Sequence, residues 1–221
     1  GSEMCIRDST HTDLIINLPL VDADLIRSRN FKVVVDAVNS TGGIAVPNLL
    51  NKLDVEVVKL YCDPNGEFPH NPEPLKENLN DLSKLVIKEQ ADFGIVVDPD
   101  VDRLAFVSEN GEVFGEEYTL VACADYFLKN KPGIIVSNLS SSRALKDITE
   151  SYGCEYFSSA VGEVNVVEKM KEKNAVIGGE GNGGIILPEL HYGRDGLVGI
   201  ALFLTLLSKL NISCSMLRKK Y

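Results

Sequence analysis

A chain of 221 residues, 44% hydrophobic and 24% charged, is long enough for one large domain or two ordinary ones and has the composition of a folded, soluble protein. Its formal charge of −10 excludes a nucleic-acid surface, which needs clustered Lys and Arg, so an anionic ligand would have to meet local arginines or a bound metal. The longest uncharged stretch, residues 196–208, is shorter than the roughly 20 residues that span a bilayer; neither membrane nor nucleic acid is an expected partner.

Residues 1–11 begin Gly-Ser, carry no secretory pattern and read as a tag or an unassigned segment. The five cysteines are scattered and form no CxxC pair, which points to reduced thiols and a cytoplasmic setting. "FKVVVD" (31–36) is a buried strand, followed by the small-residue loop "AVNSTGG", a helix through "AVPNLLNKL" and an alternating strand "VEVVKL". After the irregular "CDPNGEFPHNPEP", the spacing of Leu75, Leu79, Leu82 and Val86 predicts a helix over 73–90. The strand "FGIVV", an acidic loop, and "RLAFVSENGEVF", two strand-like pieces around a Glu109-Asn110-Gly111 turn, complete the first half.

A helix from about Glu116 to Leu128, stopped by "NKPG", opens the second half. The strand "GIIVSN", a helix in "SSSRALKDITESYG", the strand "CEYFSS" and a helix over 163–173 follow, then the strand "AVIGG", the loop "EGNGG", the strand "IILPE" and a last helix that Asp195 is suited to cap. The halves share one order of elements. They predict two tandem α/β domains, 12–113 and 114–221, whose special loops after Val97 and Gly179 occupy equivalent strand ends, where such sheets usually bind ligands.

The first loop, "DPDVDR" (98–103), crowds three carboxylates at alternate positions. An EF-hand would use Asp98, Asp100, Asp102 and Glu109 as its positions 1, 3, 5 and 12, but Arg103 stands where that loop needs glycine and strands flank it in place of helices. A haloacid-dehalogenase-type phosphatase would use Asp98 as nucleophile, yet Asp102 departs from its pattern. A Mg²⁺ site fits best: Asp98, Asp100 and Asp102 supply hard oxygens, with a solvated turn as the plain alternative. Arg103 either pairs with these aspartates or binds a phosphoryl group bidentately.

Together these segments resemble the α-D-phosphohexomutases, the phosphoglucomutase, phosphomannomutase and phosphoglucosamine mutase family. "DPDVDR" is similar to that family's DGDGDR metal loop, with Pro99 and Val101 replacing its glycines and stiffening it. "GEGNGG" is similar to its GExSGH sugar loop, keeping Gly179, Glu180 and Gly183 and placing Asn182 and Gly184 where Ser and His are usual. "VVVDAVNSTGG", "DPNGEFPHNPEPLKENL", "SSSRAL" and "SSAVGE" add to the match.

The resemblance implies α/β/α-sandwich domains, each a mixed sheet flanked by helices, corresponding to the second and third of four. It implies interconversion of hexose or hexosamine 1-phosphate and 6-phosphate through a phosphoserine and a bisphosphate intermediate, with glucose, mannose and glucosamine all open. Mg²⁺ would sit on Asp98, Asp100 and Asp102, Arg103 would be the catalytic arginine, and Glu180 and Asn182 would read sugar hydroxyls beside Gly179, Gly181 and Gly183. The donor serine would come from domain 1 and phosphate binding from domain 4, the missing partners of these two, so the fragment alone is expected to be inactive. His191 and Arg194 are candidate site residues, or helix-capping ones; Ser141 and Arg143 could hold an anion at a helix start. A stand-alone, non-catalytic metal- or phosphosugar-binding module is the alternative.

Overall fold

The computed structural model describes residues 10–139 and 141–221. Cys5, Ser140 of "SSSRAL" and nine of the eleven residues of the N-terminal segment lie outside them.

After a helical turn over 10–16 and α1 (Ala23–Ser28), the first half runs β1 (Lys32–Asp36), α2 (Gly42–Lys52), β2 (Glu56–Leu60), α3 (Asn80–Lys88), β3 (Phe93–Val97) and β4 (Leu104–Ser108). The second runs α4 (Glu116–Asn130), β5 (Ile135–Asn138), α5 (Arg143–Ser151), β6 (Tyr156–Ser159), α6 (Glu163–Lys173), β7 (Ile177–Gly179), β8 (Ile185–Ile186), α7 (Gly196–Leu210) and α8 (Cys214–Arg218). The sheets have the same order, β2-β1-β3-β4 and β6-β5-β7-β8, each with three parallel strands and an antiparallel edge. The two mixed-sheet α/β/α domains are therefore present, and the predicted repeat is real.

The helix predicted over 73–90 is shorter. Residues 76–78 form a single 3₁₀ turn and α3 starts only at Asn80. Pro72 and Pro74 hold the chain before Leu75 extended, so Leu75 lies outside the helix whose apolar face it was expected to extend. "GEVF" forms no second strand, only a bridge from Val113 to Val107.

Strand alternation divides each sheet between two cores. In the first, Val34, Val96, Ala105 and Val107 pack with Leu82 and Val86 of α3, while Val33, Val35, Ile95, Val97 and Phe106 face the other way. In the second, Val136 and Ile186 pack with Val166 and Met170 of α6, and Ile135, Ile177 and Ile185 face the other way. The two remaining faces share one continuous core through α4 and α7. Phe203 of α7 stacks on Phe106 at 3.7 Å between ring centroids and meets Phe93 and Phe114 edge-on. The last long helix thus packs on the first sheet.

Candidate functional site

Because β3 and β7 hold equivalent places, the loops that follow them open on the same side, and they touch: the Leu104 N–H donates to Gly183 O at 3.2 Å. Asp98 is buried at the tip of β3, and its Oδ1 accepts from the backbone N–H groups of Asp102 and Arg103. Ser40 and Thr41, from the small-residue loop, donate their hydroxyls to Pro99 O. Val101 turns the chain at φ +60°, a region a β-branched residue rarely enters, and its carbonyl accepts from the Gly196 N–H at the start of α7. The loop is held from two segments outside it, residues 40–41 and the start of α7.

The three aspartates do not converge: no choice of one oxygen from each of Asp98, Asp100 and Asp102 puts all three within 4.8 Å of one another. Asp98 and Asp102 are neighbours, and burial, followed by the adjacent Asp102 carboxylate, pushes the Asp98 carboxyl up to about 6. Asp100 is exposed and lines a cavity of about 380 Å³ with Thr41, Val101, His191 and Arg194. Asp102 Oδ1 is buried and has no hydrogen-bond partner among the described residues. Arg103 donates to Glu73 Oε1 from the proline-rich segment and lies 3.8 Å from Asp98 Oδ2. Glu109 faces elsewhere, accepting from the Ser215 N–H at the start of α8, which disposes of the EF-hand.

Glu180 is equally built in. Its Oε1 accepts from Asn138 Nδ2 and the Gly162 N–H, and its Oε2 accepts from Arg194 Nη1 at 2.8 Å. Asn138 also accepts from the Gly181 N–H, and Asn182 from the Gly184 N–H. Gly179 pairs in β7 and Gly183 makes the seam with β4. Arg194 then reaches across, its Nη2 2.5 Å from Asp102 Oδ2 and its Nε 3.3 Å from Glu163 Oε2. One guanidinium joins the two loops.

His191 belongs to another arrangement. It donates from Nε2 to Asp195 Oδ2, as does His11, while Asp195 Oδ1 caps α7 through the Leu197 and Val198 N–H groups. Burial acts to raise the Asp195 carboxyl, but the two histidine hydrogen bonds outweigh it and hold it well below the usual range. His11, His191 and Asp195 are close enough to suggest a metal, and they are the only such trio among the described residues. However, His191 Nδ1 accepts from the Gly193 N–H, which leaves the ring proton on Nε2, the nitrogen a metal would need. The trio is a hydrogen-bonded cap.

Asn138, Glu163 and Glu73 were missed in the sequence. The repeat could have found Asn138, since it ends β5 as Asp36 ends β1. Arg143 is exposed beside Asp147, Ser142 caps α5, and Ser141 donates to Asn138, so the anion reading of that helix start has no support.

Two family models match in tandem: the phosphoglucomutase/phosphomannomutase alpha/beta/alpha domain II over residues 9–111, and domain III over 115–221. The chain belongs to the phosphoglucomutase/phosphomannomutase family. A phosphoglucomutase/phosphomannomutase from Thermococcus kodakarensis is 38% identical over 86% of this chain and 42% of its own length. A "Probable phosphoglucosamine mutase" from Methanopyrus kandleri is 34% identical over 90% and 43%. Among solved structures, a phosphoglucomutase/phosphomannomutase family protein from Burkholderia thailandensis superposes with a TM-score of 0.79 at 29% identity, over 89% of this chain and 45% of that one. The chain thus spans about two-fifths of the curated relatives it matches. Family membership removes the haloacid dehalogenase reading.

Proposed function

We propose that this chain is the central part of a Mg²⁺-dependent phosphohexomutase, comprising domain 2 (residues 12–113) and domain 3 (114–221), that interconverts hexose or hexosamine 1- and 6-phosphates through a phosphoserine and a bisphosphate intermediate. The observation that carries the reading is the meeting of the two strand-end loops, 98–103 and 179–184, at the Leu104–Gly183 hydrogen bond and on Arg194.

The charge and the oxygen donors of the residues suit the ion, and Asp100 would turn inward to join Asp98 and Asp102. Asp98, Asp102, Glu73, Glu163 and Glu180 face two guanidinium groups and Asp100 stands nearby, a surplus of negative charge, and the buried Asp102 Oδ1 is an oxygen with no hydrogen-bond donor of its own. Asp98, Asp102 and Asp100 would hold Mg²⁺, which neutralises charge on a phosphoryl group in transfer. Arg103, half-buried beside Asp98, supplies a further cation to the same oxygens. Glu180 and Asn182 accept from sugar hydroxyls, and Glu180 is fixed for this by Asn138 and Gly162.

On this reading the donor phosphoserine comes from domain 1 and the phosphate-binding groups from domain 4, and this chain alone is inactive as a mutase. Four described free thiols support a cytoplasmic setting, and no described helix is long and apolar enough to cross a membrane. Calorimetric titration of the chain with Mg²⁺, and of the Asp98→Asn and Asp102→Asn variants, tests the metal loop: weak binding, abolished by either substitution, is expected. Equal binding in all three would sink it. Joined to its missing domains, the chain should show hexose-phosphate turnover that needs Asp98 and falls in Glu180→Ala. Turnover by the fragment alone, absent in an Asp98→Ala control, would place the catalytic machinery elsewhere.

A further inference from the structure

We propose that Arg194 is an internal cation that competes with Mg²⁺ for Asp102 and so couples the metal loop to the sugar loop. The inference rests on the reading of 98–103 as the metal loop.

Arg194 is anchored before its side chain begins. Its N–H donates to Glu163 Oε1, its backbone bridges to Ile186, and the next residue caps α7. From that fixed root the side chain, 15% exposed, places its guanidinium among Asp102, Glu163 and Glu180, carboxylates from three separate segments. Only Asp102 belongs to the metal loop. Arg194 holds one of its oxygens and leaves the other buried and unpartnered. A divalent ion on either oxygen stands one carboxylate away from the guanidinium, and like charges at that separation inside a protein repel strongly. Arg194 must then either leave Asp102 or weaken the ion's binding.

Gly184 makes the present arrangement possible. A Cβ there would lie 2.5 Å from Arg194 Cδ, so any side chain at 184, such as the histidine usual in the family's loop, pushes Arg194 off its position. Departure of Arg194 also frees Glu180 Oε2, while Oε1 keeps its bonds to Asn138 and Gly162. The freed oxygen can accept from a sugar hydroxyl, and the released guanidinium can meet a phosphoryl group. Filling the metal loop therefore opens the sugar loop.

Calorimetric Mg²⁺ titration of the wild-type chain and of Arg194→Gln, Gly184→Ala and Asp102→Asn provides the test. Arg194→Gln should bind Mg²⁺ about tenfold more tightly, the size of effect that removal of one close charge gives. Gly184→Ala, which displaces the guanidinium without deleting it, should move affinity in the same direction, and Asp102→Asn should abolish binding with or without Arg194→Gln. In the wild type, the Arg194 side-chain Nε–H resonance, assigned through bonds from the Arg194 backbone, should shift with the midpoint of the binding isotherm; this readout stands if Arg194→Gln does not fold. Unchanged or weaker binding in Arg194→Gln and Gly184→Ala, or an Arg194 resonance unmoved at saturation, overturns the competition and leaves the metal loop intact. Absence of Mg²⁺ binding in every protein, wild type included, overturns both.

Discussion

Gly183→Ala adds a single methyl group at the seam between the two loops. Gly183 has φ +89°, where an L-residue costs about 1–2 kcal/mol. Its Cβ would stand 2.2 Å from Leu104 O and 3.0 Å from Leu104 N and C, all backbone atoms that no rotamer change can move. The segments must part, which breaks the hydrogen bond from Leu104 N–H to Gly183 O and leaves a buried donor unpaired at a further cost of about 1–3 kcal/mol. The sum is roughly 2–5 kcal/mol, or a fall in Tm of about 4–20 °C at the roughly 2–4 °C per kcal/mol typical of chains this long. Gly153→Ala is the control, because Gly153 also has positive φ, at +68°, but open space at its Cβ. Urea and thermal unfolding of both variants should show Gly183→Ala losing clearly more. Equal losses would refute the claim that the loops are in forced backbone contact.

His70→Phe tests the anchor of the proline-rich segment. His70 Nε2 donates to the buried Asp36 at 2.8 Å, and that bond first of all raises the His70 pKa above its ordinary 6.5. The stabilisation is therefore complete below about 6.5 and lost as pH rises through the raised value, so the variant should lose about 1 kcal/mol more at pH 6 than at pH 9, after discounting for solvent screening. Denaturation yielding the same loss at both pH values removes the ionic part of the account. Phe203→Ala should cost about 3–5 kcal/mol and lower hydrogen-exchange protection in β4 as well as in β8; an effect confined to the second sheet contradicts the shared core.

The repeat was legible because it is written in local signals. Apolar runs such as "FKVVVD" and "FGIVV", and stops such as "NKPG", mark elements through backbone preference and burial alone, and the two loops stand out because carboxylates and glycines gather where strands end. The helix over 73–90 misled because leucine spacing agreed with a helix while two prolines upstream did not, and backbone sterics prevailed. Arg194 was visible only as a candidate. Its partners Asp102, Glu163 and Glu180 lie 92, 31 and 14 residues away, and nothing in a charge's local context says which distant carboxylate will neutralise it. Nor does the uniform apolarity of "GLVGIALFLTLLS" show that Phe203 lies against the first sheet.

That placement of Phe203 bears on how the polypeptide is made. Phe93, Phe106 and Phe114 are synthesised first, and the ring that packs among them is added about a hundred residues later, which at roughly 5–20 residues per second means a delay of about 5–20 s. Through that interval one face of the nascent first sheet lacks its last covering helix. The first domain can therefore collapse on the ribosome around α3 but reaches its final packing only when the second is complete, and the two halves mature as one cooperative unit despite their separate sheets.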